Sequence, residues 1–223
     1  RGGRSQCVQR ADRVGGLSLG PVFEPLAQQD QRDDGRRGLE IEVRAFLRFA
    51  PPELRWNAAT LWAGPKCDIV HYPLSGWKLF NLVVTYHNHA PEPVAGRPVE
   101  TEEVRKGFTH VCERAQNIIE RGRNWHMWVL CDRDPIDRWV DGRVALLGDA
   151  AHPMLQYMSQ GGCMAMEDAV CLADSLARSD SVETGLVTYR DRRVLRTART
   201  QLMSRAMGDH VYHPAGPHAA LRK

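Results

Sequence analysis

Apolar residues are sparse and aperiodic over the first fifty positions and become patterned only afterwards. The stretch Gln28-Gln-Asp-Gln-Arg-Asp-Asp-Gly35 has no period, and such segments bury too little apolar surface to offset the entropy of ordering them. Within this region only Ile41–Phe49 suits a strand or a helical turn. From Leu61 the pattern becomes β-like. Cys67–Tyr72 is a strand stopped by Pro73. Ser75-Gly76 signals a turn, and Trp77–Tyr86, with Leu82-Val83-Val84 continuous and apolar, predicts the second arm of a hairpin. Pro91–Pro98 reads as a loop. Thr101-Glu-Glu-Val104 opens a helix running to about Cys112, with Thr101 as N-cap and acids in the first turn. Ala115–Arg121 is helical, Trp125–Leu130 a strand and Arg133-Asp-Pro135 a turn. The apolar run Val144–Leu147 has strand length and stops at Gly148-Asp149. Two helices follow: about Gly162–Ala177, with Met166, Val170 and Ala173 on one face, and Val182–Met207, studded with arginines. The expected class is α/β, of the mixed α+β kind. Residues 1–53 form an atypical segment expected to be poorly ordered or unrelated, 54–138 a β-sheet region, and 139–223 the Gly-Asp segment with the C-terminal helices.

Composition narrows the function classes. With 43% hydrophobic residues, a packed core is within reach, and a net charge of +3 with interspersed acids leaves no nucleic-acid footprint. The arginines of 190–205 read as a solvated helix face. No apolar run is long enough for a transmembrane helix, and the start lacks the apolar centre of a signal peptide. Six scattered cysteines without a Cys-x-x-Cys pair fit a reduced, cytoplasmic protein rather than a disulfide scaffold. His87-Asn-His89 and His210-Val-Tyr-His213 have chelating spacings but no matching Cys or carboxylate set, so no metal site is expected.

The chemistry concentrates in Gly142-Arg-Val-Ala-Leu-Leu-Gly148-Asp149-Ala150-Ala-His152-Pro153, continued by Gln156-Tyr157 and Gln160-Gly161-Gly162-Cys163-Met164-Ala-Met-Glu167-Asp168. A strand that ends on a carboxylate, followed by a glycine pair opening a helix, delivers an acceptor and then a row of backbone N–H groups to a ligand. This stretch resembles the second flavin-binding motif of the FAD-dependent aromatic-ring monooxygenases, over more than twenty positions, and the likeness covers residues 54–223. It implies a partial flavoprotein-hydroxylase fold: a substrate-roofing β-sheet plus the C-terminal return of the FAD-binding domain. Asp149 is then expected to bind the ribityl chain. Gly148, Ala150, Pro153 and the helix start Gly161, Gly162, Cys163 and Met164 are expected to line the flavin. The helix dipole would stabilise negative charge on the ring's N1 edge.

Among these enzymes, Cys67-Asp68-Ile-Val-His71-Tyr72-Pro73 together with Pro153-Met-Leu-Gln156-Tyr157 looks most like the 3-hydroxybenzoate 6-hydroxylases. In that group the positions of Asp68, Tyr72 and Gln156 face the phenol, and position 68 is a histidine. Asp68, Tyr72, Gln156 and, as a substitute for the histidine, His71 are the candidate catalytic residues. Asp68 is a poor base unless buried, because an ordinary aspartate titrates at about 3.9. The resemblance implies FAD as cofactor, NADH or NADPH as reductant, a small aromatic substrate such as hydroxybenzoate, a homodimer, and neither nucleic-acid nor membrane partners. A Gly-x-Gly-x-x-Gly unit for the ADP half of FAD is absent from the sequence, so the chain is expected to be the C-terminal part of a longer enzyme and to bind FAD weakly alone. Salicylate 1-hydroxylase and a non-catalytic fragment that does not retain FAD are the alternatives.

Overall fold

The computed structural model describes residues 40–47 (backbone only), 57–87 and 94–221. The atypical segment therefore lies outside the described residues, except for its strand, as does His89. Eight strands are described: β1 (Glu40–Leu47), β2 (Thr60–Gly64), β3 (Cys67–Leu74), β4 (Leu79–His87), β5 (Ala95–Pro98), β6 (His126–Leu130), β7 (Val140–Asp141) and β8 (Val144–Ala145). The helices are α1 (Thr101–Lys106), α2 (Glu113–Ile119), α3 (Gly161–Ala177), α4 (Val182–Met207) and α5 (Pro217–Ala220).

β1–β6 form one antiparallel sheet in the order β2-β3-β4-β1-β6-β5, and β7 pairs with β8. The expected hairpin is β3–β4, closed by Ser75, Gly76 and Trp77, all at positive φ. β1 sits mid-sheet between β4 and β6, so the sheet begins before the boundary expected at residue 54. Part of the predicted loop 91–98 is also strand: β5 pairs with β6 across a bulge at Ala95/Arg97. Gly96 there, at φ +70, supplies a conformation that other residues rarely adopt.

The register divides β3 and β4 into two faces. Cys67, Ile69 and His71 lie opposite Tyr86, Val84 and Leu82, and Phe80 continues this row. Val104, Phe108, Ala115, Ile118, Ile119 and Trp125 cover it as an apolar core. Burial, and then the Asp68 charge, push the Cys67 thiol up to about 11, so it stays protonated in that core. The other face carries Asp68, Tyr72, Asn81 and Thr85. α1 starts from Glu100, not Thr101, as N-cap, and it ends at Lys106, short of the expected Cys112. Gly107 follows in helical conformation, and a Cβ there would lie 2.7 Å from the Tyr86 ring, so glycine lets the helix end approach the sheet closely.

α3 and α4 are antiparallel neighbours joined by a short link. Ser181 caps α4, accepting from the Thr184 N–H at 3.1 Å. The face of α3 marked by Met166 and Val170 is exposed, at 65% and 72%. Its inward face is Met164, Asp168, Cys171 and Ser175: Arg193 of α4 meets Asp168 and Met164, and Cys171 packs with Trp139, Leu146 and Tyr189, while Thr197, Gln201 and Ser204 of α4 are also buried. Arg193 thus departs from the solvated face expected of the arginine cluster, whereas Arg192 and Arg196 conform to it.

Candidate functional site

The chain leaves β8 extended through Leu147 and turns at Gly148 into a short 3₁₀ turn, Gly148–Ala150. Gly148 has φ +59, and a Cβ on it would come within 3.2 Å of the Ala165 Cβ on α3. Glycine is therefore what lets the strand end fold tightly against the helix.

Asp168, with its side chain fully buried, fixes this turn from below. One carboxylate oxygen accepts from the Gly148 N–H at 3.1 Å and from His152 Nε2 at 2.6 Å, while the other accepts from Arg193 Nε at 2.7 Å. Burial pushes the Asp168 carboxyl up, but the hydrogen bonds from His152, Arg193 and Gly148 outweigh it and hold the group below its ordinary 3.8. The next residues are held from α4 and from Arg133. Arg133 donates to the carbonyls of Ala150 at 2.6 Å and Ala151 at 2.9 Å. Gln201 donates to Pro153 O at 2.9 Å, and Ser204 donates to Leu155 O at 2.5 Å. Asp168, Arg133 and two side chains of α4 thus hold the segment 148–155 by its backbone.

Above this support the cradle is open. The Asp149 side chain is exposed and meets no partner among the described residues. It overhangs the start of α3: a Cβ on Gly161 would lie 3.8 Å from Asp149 Oδ1, and a Cβ on Gly162 would meet nothing within 4 Å. Gln160, the N-cap, gives the helix no side-chain hydrogen bond. A 17-residue helix therefore presents its uncapped first N–H groups beside an unengaged carboxylate. Sugar-like hydroxyls suit the carboxylate, and an electron-rich ring edge suits the N–H groups, so the donor set fits the ribityl and ring portions of a flavin. Cys163 is exposed beside them. Met164 faces the other way, 1% exposed, with its sulfur against Arg193 and Thr200 and its N–H bonded to Gln160 O at 2.8 Å. Its side chain belongs to the α3–α4 interface and not to the cradle.

The second cluster lies where the sheet meets the residues after α4. Asp68, 2% exposed, bonds through Oδ1 to His213 Nε2 at 2.8 Å. His213 Nδ1 lies 3.2 Å from His87 Nε2. The His213 ring stands edge-on to Tyr157, with centroids 5.5 Å apart, and Tyr157 also packs on Tyr212. Gln156, adjacent to Tyr157, has its Oε1 buried without a hydrogen-bond partner. Tyr72 shares the sheet face of Asp68, opposite Asn81.

Asp68 and the Gln156–Tyr157 turn are thus brought together through His213. His71 is not part of that cluster. It lies on the helix-covered face, wholly buried, where its Nε2 accepts from the Trp62 indole at 3.0 Å and its ring packs on Phe80. Burial pushes its imidazole down, so it stays neutral. Nor does the His210/His213 pair converge: His210 stacks on His218 with centroids 4.4 Å apart, while His213 turns to Asp68. Sequence reasoning missed His213, Asp168, Arg193 and Gln201. The buried polar residues at helical spacing in α4 (193, 197, 201, 204) were a readable signal; the Asp68–His213 contact, 145 positions apart, carried none.

The family model described as FAD binding domain matches residues 80–204. The chain is 55% identical over 218 residues to 3-hydroxybenzoate 6-hydroxylase 1 of Aquipseudomonas alcaligenes, covering 97% of this chain and 55% of that protein. That match therefore reaches into the residues before 54. It is 45% identical over 173 residues to 3-hydroxybenzoate 6-hydroxylase of Polaromonas naphthalenivorans (strain CJ2), covering 77% and 43%. A solved salicylate hydroxylase substrate complex superposes with a TM-score of 0.71 at 24% identity, covering 87% of this chain and 54% of that one, which bears on the fold alone. The chain spans about half the length of the curated relatives it matches.

Proposed function

Because this chain belongs to the FAD-binding-domain family of flavoprotein hydroxylases, we propose that it forms the flavin-ring and substrate side of an FAD-dependent monooxygenase acting on a hydroxybenzoate. The preferred reaction converts 3-hydroxybenzoate to 2,5-dihydroxybenzoate with NADH or NADPH and oxygen. The observation that carries this reading is the open cradle of Asp149 and the uncapped Gly161-Gly162 helix start, in a chain that also holds the buried pair Asp68 and His213. The identity to two 3-hydroxybenzoate 6-hydroxylases supports the substrate class.

When bound, FAD would supply the transfer of electrons from the reduced nicotinamide to oxygen. The protein's part is positioning and charge. Asp149 accepts hydrogen bonds from the ribityl hydroxyls. The N–H groups of Gly161 and Gly162 donate toward the ring edge where negative charge develops, and the dipole of α3 adds to them. Gly148, Ala150 and Pro153 shape the backbone beside the ring, and Asp168, Arg193 and Gln201 hold that backbone still. Across from it, Gln156 presents a carbonyl oxygen to the hydroxyl of the substrate, and Tyr72 lines the sheet side. Asp68 takes up the hydroxyl proton, which activates the ring toward an electrophilic oxygen. A cytoplasmic location and a homodimer complete the proposal; among the described residues no helix is long and apolar enough to cross a membrane.

The test is a coupled assay on the FAD-loaded protein that compares dihydroxybenzoate formed with nicotinamide consumed. Stoichiometric 2,5-dihydroxybenzoate from 3-hydroxybenzoate is the expected result. Catechol from salicylate would favour a salicylate hydroxylase, and a flavin-loaded protein that consumes nicotinamide without forming dihydroxybenzoate would overturn the proposal.

A further inference from the structure

An open cleft of about 640 Å³ lies where the β2–β3 turn and the end of β4 meet the last turn of α1. Lys66, Tyr86, His87, Glu103, Lys106 and His110 line it, and no residue of the flavin cradle does. Its charges are unbalanced. Glu103, the carboxylate on its wall, is engaged by Arg97 at 2.6 Å. Arg105, beside Lys106 in α1, is engaged by Glu120 at 2.6 Å. Lys66 and Lys106 meet no carboxylate among the described residues. Two ammonium groups that share a concave surface without a counter-charge focus a positive potential into it.

Lys66 stands there against the local backbone preference. Gly64 pairs with Cys67, so Pro65-Lys66 is a two-residue turn between β2 and β3. Lys66 has φ +61, a conformation that glycine or asparagine normally supplies in such a turn. Its carbonyl accepts from the His87 N–H at 3.1 Å, which ties the turn to the end of β4. The lysine charge is thus carried on a fixed base at a conformational cost. His110 is held too, with Cys67 Sγ 3.4 Å from its Nε2.

The lining selects among anions. No guanidinium is on the wall, so the planar fork that grips a carboxylate at two points is missing, whereas ammonium point charges suit phosphate. The volume falls within the roughly 300–1,000 Å³ of small-molecule sites, and Pro65, Gly107 and the Tyr86 ring add apolar wall. These features together fit a phosphate ester with a sizeable organic part.

We propose that the cleft binds the phosphates of a nucleotide on Lys66 and Lys106, and that this nucleotide is the reduced nicotinamide dinucleotide consumed in the proposed hydroxylation, a reading on which the second half of the inference rests. The cleft adjoins the site. His87 on its wall lies 3.2 Å from His213, whose ring meets that of Tyr157, next to Gln156, with centroids 5.5 Å apart. A free nucleotide acting as an effector would present the same phosphates, so the two sources are separated by experiment.

The test pairs Lys66→Asn, which suits the left-handed turn, with Lys106→Gln, so that charge is removed without straining the fold. In the FAD-loaded protein the double variant is expected to raise KM for NADH or NADPH roughly tenfold, with flavin content, KM for the phenol and kcat at saturating reductant close to wild type. Titration with ADP, followed by amide NMR, gives a readout independent of turnover. Shifts centred on residues 65–67 and 106–110 are expected in the wild type and are lost in the double variant. ADP shifts in the cleft with an unchanged KM for the reductant would overturn the reductant as occupant and leave a free nucleotide as the ligand. Absence of ADP shifts in the cleft would overturn the phosphate site itself. A wild type that hydroxylates no phenol would remove the functional reading, while the ADP titration would still decide the cleft.

Discussion

Two acids of the same motif have opposite fates at the residue scale. Asp149 is exposed and unengaged at the mouth of the cradle, whereas Glu167 is spent on Arg196 and Arg193 at 2.6 and 2.7 Å. The hydrogen bond from Arg196, and then that from Arg193, hold Glu167 down at about 2 despite partial burial. Asp149→Ala should therefore lower flavin content far more than Glu167→Ala, because a charge-assisted hydrogen bond to ligand contributes about 1.5–3 kcal/mol. The ratio of flavin absorbance to protein in the two purified variants measures this; equal ratios would contradict the role of Asp149. Asp168 makes a different prediction. Its folded-state carboxyl titrates below the ordinary 3.8, so its stabilisation is present above that value and is lost as pH falls through the lower folded value. Asp168→Asn leaves Arg193 buried without its partner there and should cost about 3 kcal/mol at neutral pH. Thermal melts from pH 7 to pH 3 should show the wild type losing stability steeply at the acid end, with the variant flatter and the two curves converging.

For the elements, what was legible followed from local rules. The β3–β4 hairpin announced itself by an apolar run, a Ser-Gly turn and a second run, and α3 and α4 by length. The strand β5 was not readable, because Ala95–Pro98 has turn composition and becomes a strand only through pairing with β6. The inward face of α3 was not legible for a related reason. Apolar Met166 and Val170 mark one side but are exposed, and burial follows the side that meets the Arg193 guanidinium of α4. Asp149 and the glycine pair were legible because they share one short segment; His213 was not, because only tertiary packing carries it to Asp68. Where α3 and α4 cross, Gly185 sits so close that a Cβ would lie 2.9 Å from Leu176 Cδ2 and 3.1 Å from its Cα. Gly185→Val should force the helices apart and destabilise by about 1–3 kcal/mol. Chemical denaturation would show this as a lower midpoint with an unchanged slope; an unchanged midpoint would mean that the hairpin has slack.

Across the whole molecule, the sheet and the helical pair are joined at one polar seam. The chain after α4 forms a π-turn, Gly208–Tyr212, that lays His213 against Asp68 and Tyr212 against Tyr157. The turn passes Tyr157 so closely that a Cβ on Gly208 would lie 2.6 Å from its ring. Gly208→Val should therefore lift the seam: amide exchange is expected to quicken at 208–213 and around Asp68, with the apolar face of the sheet still protected. Uniform protection in the variant would show that the ring simply moves aside. The separation of Asp68 from His213 by 145 positions also has a meaning for synthesis. On the ribosome, the sheet strands emerge long before the histidine that completes their polar face. Until then the carboxylate remains hydrated, because sealing it away without a donor is costly. The nascent sheet can close its greasy side over residues 101–119 at once but must keep its other side open to water. The order of translation thus leaves the catalytic face for last, and a pause before residue 213 would expose that face to chaperones rather than to misfolding in the apolar core.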